Sequence, residues 1–156
     1  MALDTQSIQP MTAIPHYRDE WKFFEVRPPA SKEIWMFRKN LGVAEVKGLK
    51  GLATMVYFTV QFALYDATGL PNKEEAKVLY DFEEDAIPKV EKEAVCILVA
   101  SVVKGGVKDH LFYVSNPELF IKSLNSYRKA LEGFKVSFEK HDDPKWEIYD
   151  DFPDGN

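Results

Sequence analysis

The sequence predicts a single α+β domain in which an antiparallel sheet has helices on one face. Its 156 residues fit one domain of ordinary size. Hydrophobic residues make up 46% of the chain, so the protein can bury a substantial core. Short stretches rich in β-branched and aromatic residues alternate with stretches whose apolar residues recur every three or four positions, which indicates strands interspersed with helices.

The first predicted elements are a loosely held arm and a β-hairpin. Residues 1–19 contain two prolines and no sustained pattern, so we expect a flexible arm there and the folded domain over residues 20–156. Residues 21–26 and 33–38 are rich in aromatic and β-prone side chains, and two prolines between them break the pattern, which predicts an N-terminal hairpin. Residues 40–53 have glycines among alternating Leu and Val and predict no defined element.

The middle of the chain predicts a strand followed by a helix. Residues 55–65 are dense in β-branched and aromatic side chains, as in a central strand. Asn72 then stands where a helix N-cap is expected, and Glu75 three residues later completes a capping box. Pro88 lacks a backbone N–H, so the helix kinks or ends near it. The apolar face of this helix consists of Leu79, Phe82, Ala86 and Val90.

The last third of the chain predicts a strand hairpin, a second helix and a final strand. Residues 94–103 form a continuously apolar stretch, as in a strand covered on both faces, and residues 107–114 return as its hairpin partner. Pro117 suits the first turn of the next helix, and Gly133 suits the left-handed position after that helix ends. Residues 134–138 alternate as a half-buried strand. The buried stripe of the second helix consists of Phe120, Leu124, Tyr127 and Leu131.

From residue 55 onward the predicted order is βαββαβ, which is the split βαβ pattern of ferredoxin-like folds. Right-handed crossovers put both helices of such a fold on one face of an antiparallel sheet. The predicted N-terminal hairpin either extends this sheet or covers its open face.

Composition favours an acidic protein of a reducing compartment. The formal net charge is −5, which repels phosphate backbones, so we expect no nucleic-acid partner and favour a basic protein partner. Cys96 is the single cysteine, which excludes an intramolecular disulfide, and its apolar neighbours predict a buried side chain rather than a nucleophile. The sequence shows neither a signal peptide nor a membrane-spanning stretch, so we expect a cytoplasmic protein without a membrane partner.

Two groups of residues are candidates for a metal site or a catalytic dyad. His141, Asp142 and Asp143 offer a nitrogen and two carboxylates, but successive residues point in different directions, so a solvated turn is expected rather than a metal site. His110 follows Asp109 on a predicted strand, where neighbouring side chains face opposite sides; we expect a surface or sheet-face histidine rather than a dyad. We therefore expect no metal, no cofactor and no catalytic residue.

The most distinctive segment is the acidic and aromatic stretch over residues 139–156. Its seven acidic residues outnumber its two basic ones, and large apolar residues are interleaved with them. The aromatic residues either fold back to cap the core while the carboxylates face water, or form an exposed anchor for a basic partner. The candidate residues of this partner-binding or structural motif are Asp143, Trp146, Tyr149, Asp150, Asp151 and Phe152.

Four motifs together resemble a known family. They are Trp21 with its aromatic neighbours, Gly69-Leu70-Pro71 before a helix with Leu79 and Glu83, Phe112-Tyr113-Val114, and the ending Asp-Pro-x-Trp-x-x-Tyr followed by Phe152. The chain resembles, over residues 20–152, the bacterial family called domain of unknown function 695. This resemblance implies no activity. The ending is similar, more distantly, to that of regulator B, a small acidic ferredoxin-like inhibitor of ribonuclease E.

Two classes of function remain open. The first is a non-enzymatic regulator or inhibitor, of the immunity-protein kind, that binds a basic protein. The alternative is a small-ligand domain or enzyme with an aromatic pocket between the N-terminal hairpin and the sheet. That pocket would be lined by Trp21, Trp35 and Tyr57, with Glu25 as acid or base.

Overall fold

In the computed structural model, which describes residues 11–155, six strands form one antiparallel sheet. The strands are β1 (Trp21–Val26), β2 (Trp35–Asn40), β3 (Thr54–Gln61), β4 (Cys96–Lys104), β5 (Val107–Val114) and β6 (Lys135–Asp142). The helices are α1 (Lys73–Asp85), α2 (Ile87–Ala94), α3 (Pro117–Asn125) and the short α4 (Glu147–Asp151). Across the sheet the order is β1-β2-β4-β5-β3-β6. None of the described helices has the length and apolar character that crossing a bilayer requires.

The strands predicted for the second half of the chain are confirmed and lie in one sheet. Residues 55–65, 94–103, 107–114 and 134–138 correspond to β3, β4, β5 and β6. The bounds differ for two of them, because β3 ends at Gln61 rather than at residue 65 and β6 continues to Asp142 rather than ending at residue 138. The N-terminal hairpin is confirmed as well, because β1 pairs with β2 in antiparallel register. Since β2 also pairs with β4, the hairpin extends the sheet and does not lie over its face.

One face of the sheet is covered by α1, α2 and α3. The capping box of α1 is formed, since the Asn72 side chain accepts a hydrogen bond from the Glu75 backbone N at 2.7 Å. α1 and α2 meet next to Pro88, so the predicted interruption is confirmed. We call the cluster on this face the helical core. It includes Val56, Phe58, Leu79, Phe82, Val90, Leu98, Phe112, Phe120 and Leu124.

The second predicted helix is shorter than its apolar stripe. Tyr127 and Leu131 lie beyond the end of α3, and Leu131 belongs to a separate 3₁₀ turn, Arg128–Leu131. The helix tightens where the Ser126 N–H bonds to carbonyl groups three and four residues earlier. Leu131 is still buried in the helical core, and Gly133 has a φ of +96°, in the predicted left-handed region.

The opposite face of the sheet is covered by short irregular segments. Residues 40–53, which the sequence left unassigned, form two 3₁₀ turns, Gly42–Val46 and Lys50–Leu52. They pack with the C-terminal segment against the sheet, which explains why the apolar residues of β4 are buried on both faces. We call this second cluster the opposite core. It consists of Val43, Val46, Leu52, Met55, Ile97, Val99, Ala100, Leu111, Tyr113, Trp146 and Tyr149.

The expected N-terminal arm, residues 1–19, is described from residue 11 onward, and its first ten residues lie outside the described part of the chain. Residues 11–19, which we call the arm segment, form neither helix nor strand, but Met11, Ile14 and Tyr17 pack against the opposite core. Gly42 allows the arm segment to approach closely. A Cβ atom at this glycine would lie 1.6 Å from the carbonyl oxygen of Arg18.

Candidate functional site

The closing segment, residues 143–152, begins with a buried carboxylate. Asp143 is 6% exposed, and its Oδ2 accepts hydrogen bonds from the Tyr113 hydroxyl at 2.6 Å and from the Ile148 N–H at 2.9 Å. Its Oδ1 accepts from the Glu147 N–H at 2.9 Å. Trp146, directly before α4, has a left-handed backbone and no capping side-chain bond, so Asp143 satisfies the free N–H groups of this helix. The Asp143 carboxylate therefore fixes the conformation of the closing segment.

Trp146 and Tyr149 fasten the closing segment to the sheet. Trp146 is fully buried and stacks on Tyr113, with ring centroids 3.9 Å apart. Its Nε1 donates to the Leu52 carbonyl at 2.8 Å, which also fixes the second 3₁₀ turn. Tyr149 donates from its hydroxyl to the Asn40 carbonyl at 2.8 Å and from its backbone N to the Tyr113 hydroxyl at 3.1 Å. Both aromatic side chains are part of the opposite core.

The end of the closing segment is tied to β2. Lys39 donates to the Phe152 carbonyl at 2.8 Å, and its Nζ lies 4.5 Å from the centre of the Tyr149 ring. Burial lowers the pKa of Lys39, while the nearby acidic residues oppose that shift. Phe152 places its ring edge against Phe37, 5.7 Å away between centroids. The segment is thus held at both ends.

The six residues singled out from the sequence divide into two groups. Asp143, Trp146 and Tyr149 are buried and Phe152 is half-buried, so the structure brings them together on the opposite core. Asp150 and Asp151 are exposed on α4. The expectation that capping aromatics would leave every carboxylate in water is wrong for Asp143, because the start of α4 needs an acceptor.

Asp150 takes part in one surface ion pair. Its Oδ1 lies 2.9 Å from the Nζ of Lys47, and both side chains are more than one third exposed. Exposed pairs of this kind contribute between zero and about 1 kcal/mol to stability. The ion pair of Asp150 therefore contributes little to folding.

A second polar group, which the sequence analysis missed, lies on the helix-covered face. Glu83 of α1 is almost fully buried, and its Oε2 lies 3.0 Å from Nη2 of Arg38. Its Oε1 contacts Nζ of Lys108 and lies 2.9 Å from Nε2 of His110. Three basic side chains from β2 and β5 therefore surround one carboxylate of α1. We call these four residues the buried charge cluster.

Strand register explains how these residues meet. Arg38 lies opposite Ser101 in the sheet, and Ser101 lies opposite His110, so all three point to the same face. Arg38 donates from Nε to the Ser101 hydroxyl at 2.9 Å and lies over the ring of Trp21. The sequence does show a polar residue at an inward-facing position of an apolar strand. It cannot show which residues this side chain meets, because that depends on the register of three strands.

His110 lies on the sheet face, in line with one of the two expectations, but it is buried rather than exposed. Its Nδ1 is 3.1 Å from the Phe58 carbonyl and its Nε2 faces Glu83. Burial lowers the pKa of His110, and both acceptors oppose that shift. Asp109 instead contacts the Thr59 hydroxyl at 2.5 Å, so the two neighbours form no dyad. Both ring nitrogens of His110 are engaged within the protein.

Charge governs the ionisation of Glu83. Burial alone raises the pKa of Glu83, but the hydrogen bond from His110 and the charges of His110, Lys108 and Arg38 outweigh it and lower this pKa to about 2. A carboxylate this acidic remains ionised near neutral pH and is a weak proton acceptor. The cluster therefore acts as an ion pair that holds α1 on the sheet.

The aromatic pocket expected between the hairpin and the sheet is not formed by the residues named for it. Trp21 packs against the helical core, whereas Tyr57 packs against the opposite core. Trp35 lies under Lys104, and Glu25 contacts Arg27 at the surface. Because the hairpin is part of the sheet, its two faces are separated and these side chains cannot line one cavity.

The sequence analysis expects no metal site at His141, Asp142 and Asp143. Within residues 11–155, no three His, Cys, Asp or Glu side chains converge as possible metal ligands. The expected solvated turn is wrong, because His141 and Asp142 are the last residues of β6 and Asp143 is buried. His141 lies against Tyr57 and near Glu139, while Asp143 accepts a hydrogen bond from Tyr113. That the protein holds no metal stays a prediction.

Sheet, helix layer and closing segment together define an α+β protein. A model of a family of unknown function, DUF695, matches residues 19–152. Because the match covers nearly the whole domain, the chain belongs to the DUF695 family, as the motifs indicated. No curated protein and no solved structure matches the chain.

Replacing Trp146 with alanine tests the structural role of the closing segment. We expect Trp146→Ala to lower the free energy of unfolding by about 3 to 5 kcal/mol, because it removes a large buried ring. Urea denaturation followed by circular dichroism measures this loss. Lys145→Ala, at the exposed neighbouring position, should stay within about 0.5 kcal/mol of the wild type. An unchanged denaturation curve for Trp146→Ala would contradict the role.

The buried charge cluster predicts an acid-dependent loss of stability. The folded pKa of Glu83 is depressed from 4.5 to about 2, so its stabilisation is present above pH 4.5 and is lost as the pH falls toward 2. This contribution amounts to about 3 kcal/mol.

Glu83→Gln should remove that acid-dependent contribution and destabilise the protein by about 3 to 5 kcal/mol at neutral pH, because Arg38 and Lys108 lose their counter-charge. Denaturant titrations over the acidic range measure both effects. Glu84→Gln, at the exposed neighbouring position, is the control. The same pH profile for Glu83→Gln and wild type would refute the assignment.

Proposed function

We propose that this protein is a non-enzymatic regulator or inhibitor that binds a basic protein. The observation that supports it is the position of α4 in the closing segment. Buried contacts of Asp143, Trp146 and Tyr149 hold the helix, while Asp150 and Asp151 point outward. A charged surface on a fixed support binds with little ordering cost and selects partners of opposite charge.

The overall charge supports the same partner class. The chain has a formal net charge of −5, and Glu147 is a further exposed acid on α4. A negative field speeds encounter with basic proteins and disfavours nucleic acids and acidic proteins. A basic nuclease or toxin is therefore the kind of partner we propose.

We infer that the scaffold of this binding surface is a ferredoxin-like core with an added hairpin. In support, β4-β5-β3-β6 are adjacent in that order, and the helical connections run from β3 to β4 and from β5 to β6. A fold of this kind hosts many functions, so the proposal depends on the surface of α4 and not on the scaffold.

We also propose a cytoplasmic, bacterial setting. Cys96 is buried and unpaired, and burial raises the pKa of its thiol, which keeps it protonated and unreactive. A lone reduced cysteine is compatible with a reducing compartment.

Charge reversal on α4 tests the proposal. The partner is first recovered from native cell extract by affinity capture with the wild-type chain and identified by mass spectrometry. We expect the double change Asp150→Lys and Asp151→Lys to slow association with it about tenfold and to weaken the salt dependence, because surface charges act through steering. Stopped-flow association rates at low and high salt measure the effect.

The control is the double change Glu84→Lys and Asp85→Lys, which alters the net charge equally at exposed positions of α1. It should slow association much less. Equal slowing by both pairs would show a general charge effect, and unchanged rates with the α4 pair would reject α4 as the docking surface.

A further inference from the structure

A cavity of about 460 Å³ lies between the arm segment, α2 and the start of β4. Its lining residues belong neither to the closing segment nor to the buried charge cluster. Ile14 and Pro88 form apolar wall, and Tyr17, Glu91 and Cys96 add groups that can titrate. Pockets for small ligands in proteins span roughly 300 to 1,000 Å³, so this cavity has the size of a ligand site.

Glu91 is the polar group that distinguishes this cavity. Its Oε2 accepts a hydrogen bond from the Leu98 N–H at 2.9 Å, next to the register shift between β4 and β5. Within residues 11–155, the structure records no hydrogen bond to Oε1 of Glu91 and no ion pair for its carboxylate. Lys92 lines the same cavity but forms no recorded ion pair with Glu91. Oε1 of Glu91 is not a buried unpartnered atom, so it is accessible to solvent or to a ligand in the cavity.

The surroundings of Glu91 disfavour its charge. Burial raises the pKa of Glu91 to about 7. The Leu98 N–H opposes this shift, the charge of Asp19 adds to it, and the charge of Arg38 opposes it least. Tyr17, Cys96 and Lys92 are the other titratable groups that line the cavity. Burial raises the pKa of Tyr17 and of Cys96, so these two stay neutral. The carboxylate therefore lacks an adequate counter-charge of its own.

We infer that this cavity binds a small organic monocation, an ammonium group on an apolar or aromatic body. The ammonium supplies the missing counter-charge by donating to Oε1 of Glu91. Tyr17 adds an aromatic ring, which attracts cations over its face, and Ile14 and Pro88 contact the apolar body. An anion would meet the carboxylates of Glu91 and Asp19 and be repelled. A neutral ligand would supply no counter-charge to the ionised form of Glu91.

The pH dependence of binding follows from the same contacts. The cation pairs with the ionised form of Glu91, so its affinity is nearly full one pH unit or more above the pKa of about 7, is about halved near that pKa, and falls further as Glu91 takes up a proton at lower pH. Asp19 from the arm segment and Arg38 from β2 are the charged groups that act on Glu91 from neighbouring elements. The decline therefore reports on Glu91.

Calorimetric titration of the full chain with benzylammonium, cyclohexylammonium, benzyl alcohol and benzoate tests the inference. At about pH 8, both ammonium ions should bind saturably, and benzyl alcohol and benzoate should bind at least about tenfold more weakly. Lowering the pH to about 5.5 should weaken ammonium binding by about tenfold or more. Absence of saturable binding by both ammonium ions, or equal binding of benzylammonium and benzyl alcohol, would overturn it.

Two variants test whether benzylammonium binds next to Glu91. Glu91→Gln keeps a carbonyl oxygen for the Leu98 N–H, so we expect it to fold, and it should weaken benzylammonium binding at least about tenfold and abolish its pH dependence. Glu84→Gln removes an exposed carboxylate of α1 and should bind like the wild type. If Glu91→Gln fails to fold, the pH profile of the wild type still decides, because pH-independent ammonium binding would contradict a role for Glu91.

Discussion

The hydrogen bonds of the Tyr113 hydroxyl group hold the closing segment over the opposite core. It donates to the Asp143 carboxylate and accepts from the Tyr149 N–H, while its ring stacks on Trp146. The need for it follows from the sheet, because β4 and β5 present apolar residues on both faces and both faces must be buried. Long helices with bonds of their own cover one face. The other face is covered by short turns, whose backbone groups need side-chain partners.

On each face of the sheet, a buried carboxylate fixes the position of one helix. Asp143 accepts two backbone N–H groups and one hydroxyl, and so fixes α4. Glu83 is surrounded by three basic side chains and so fixes α1 against β2 and β5. A buried ion pair adds little net stability compared with apolar packing, but losing one partner is costly, so such groups specify how elements are placed. The outward acids of α4 depend on this placement for their fixed arrangement.

Local chemistry made much of the fold predictable from the sequence. The strands follow from β-branched and aromatic runs, the start of α1 from Asn72 and Glu75, its interruption from Pro88, and the left-handed turn from Gly133. The parts that could not be predicted depend on contacts between residues far apart in the chain. Residues 40–53 have no period because 3₁₀ turns repeat over too few residues to show one.

The candidate site was predictable to a smaller extent for the same reason. The sequence pattern indicated the residues of the closing segment but left open whether Trp146 and Tyr149 are buried. Aromatic residues among acidic ones fit both a cap on the core and an exposed anchor. The answer depends on Tyr113, which is more than thirty residues away from both. The pairing of Glu83 with Arg38 likewise requires the register of β2, β4 and β5, which no single stretch of sequence contains.

The central claim is that the closing segment is a fixed part of the core rather than a tail resting on it. Native-state amide hydrogen exchange tests it most directly at Ile148 and Tyr149, whose N–H groups bond to Asp143 and Tyr113. The account predicts that these amides open with nearly the same free energy as the central amides of β5. Exchange of both at the rate of unprotected amides, while β5 remains protected, would contradict it.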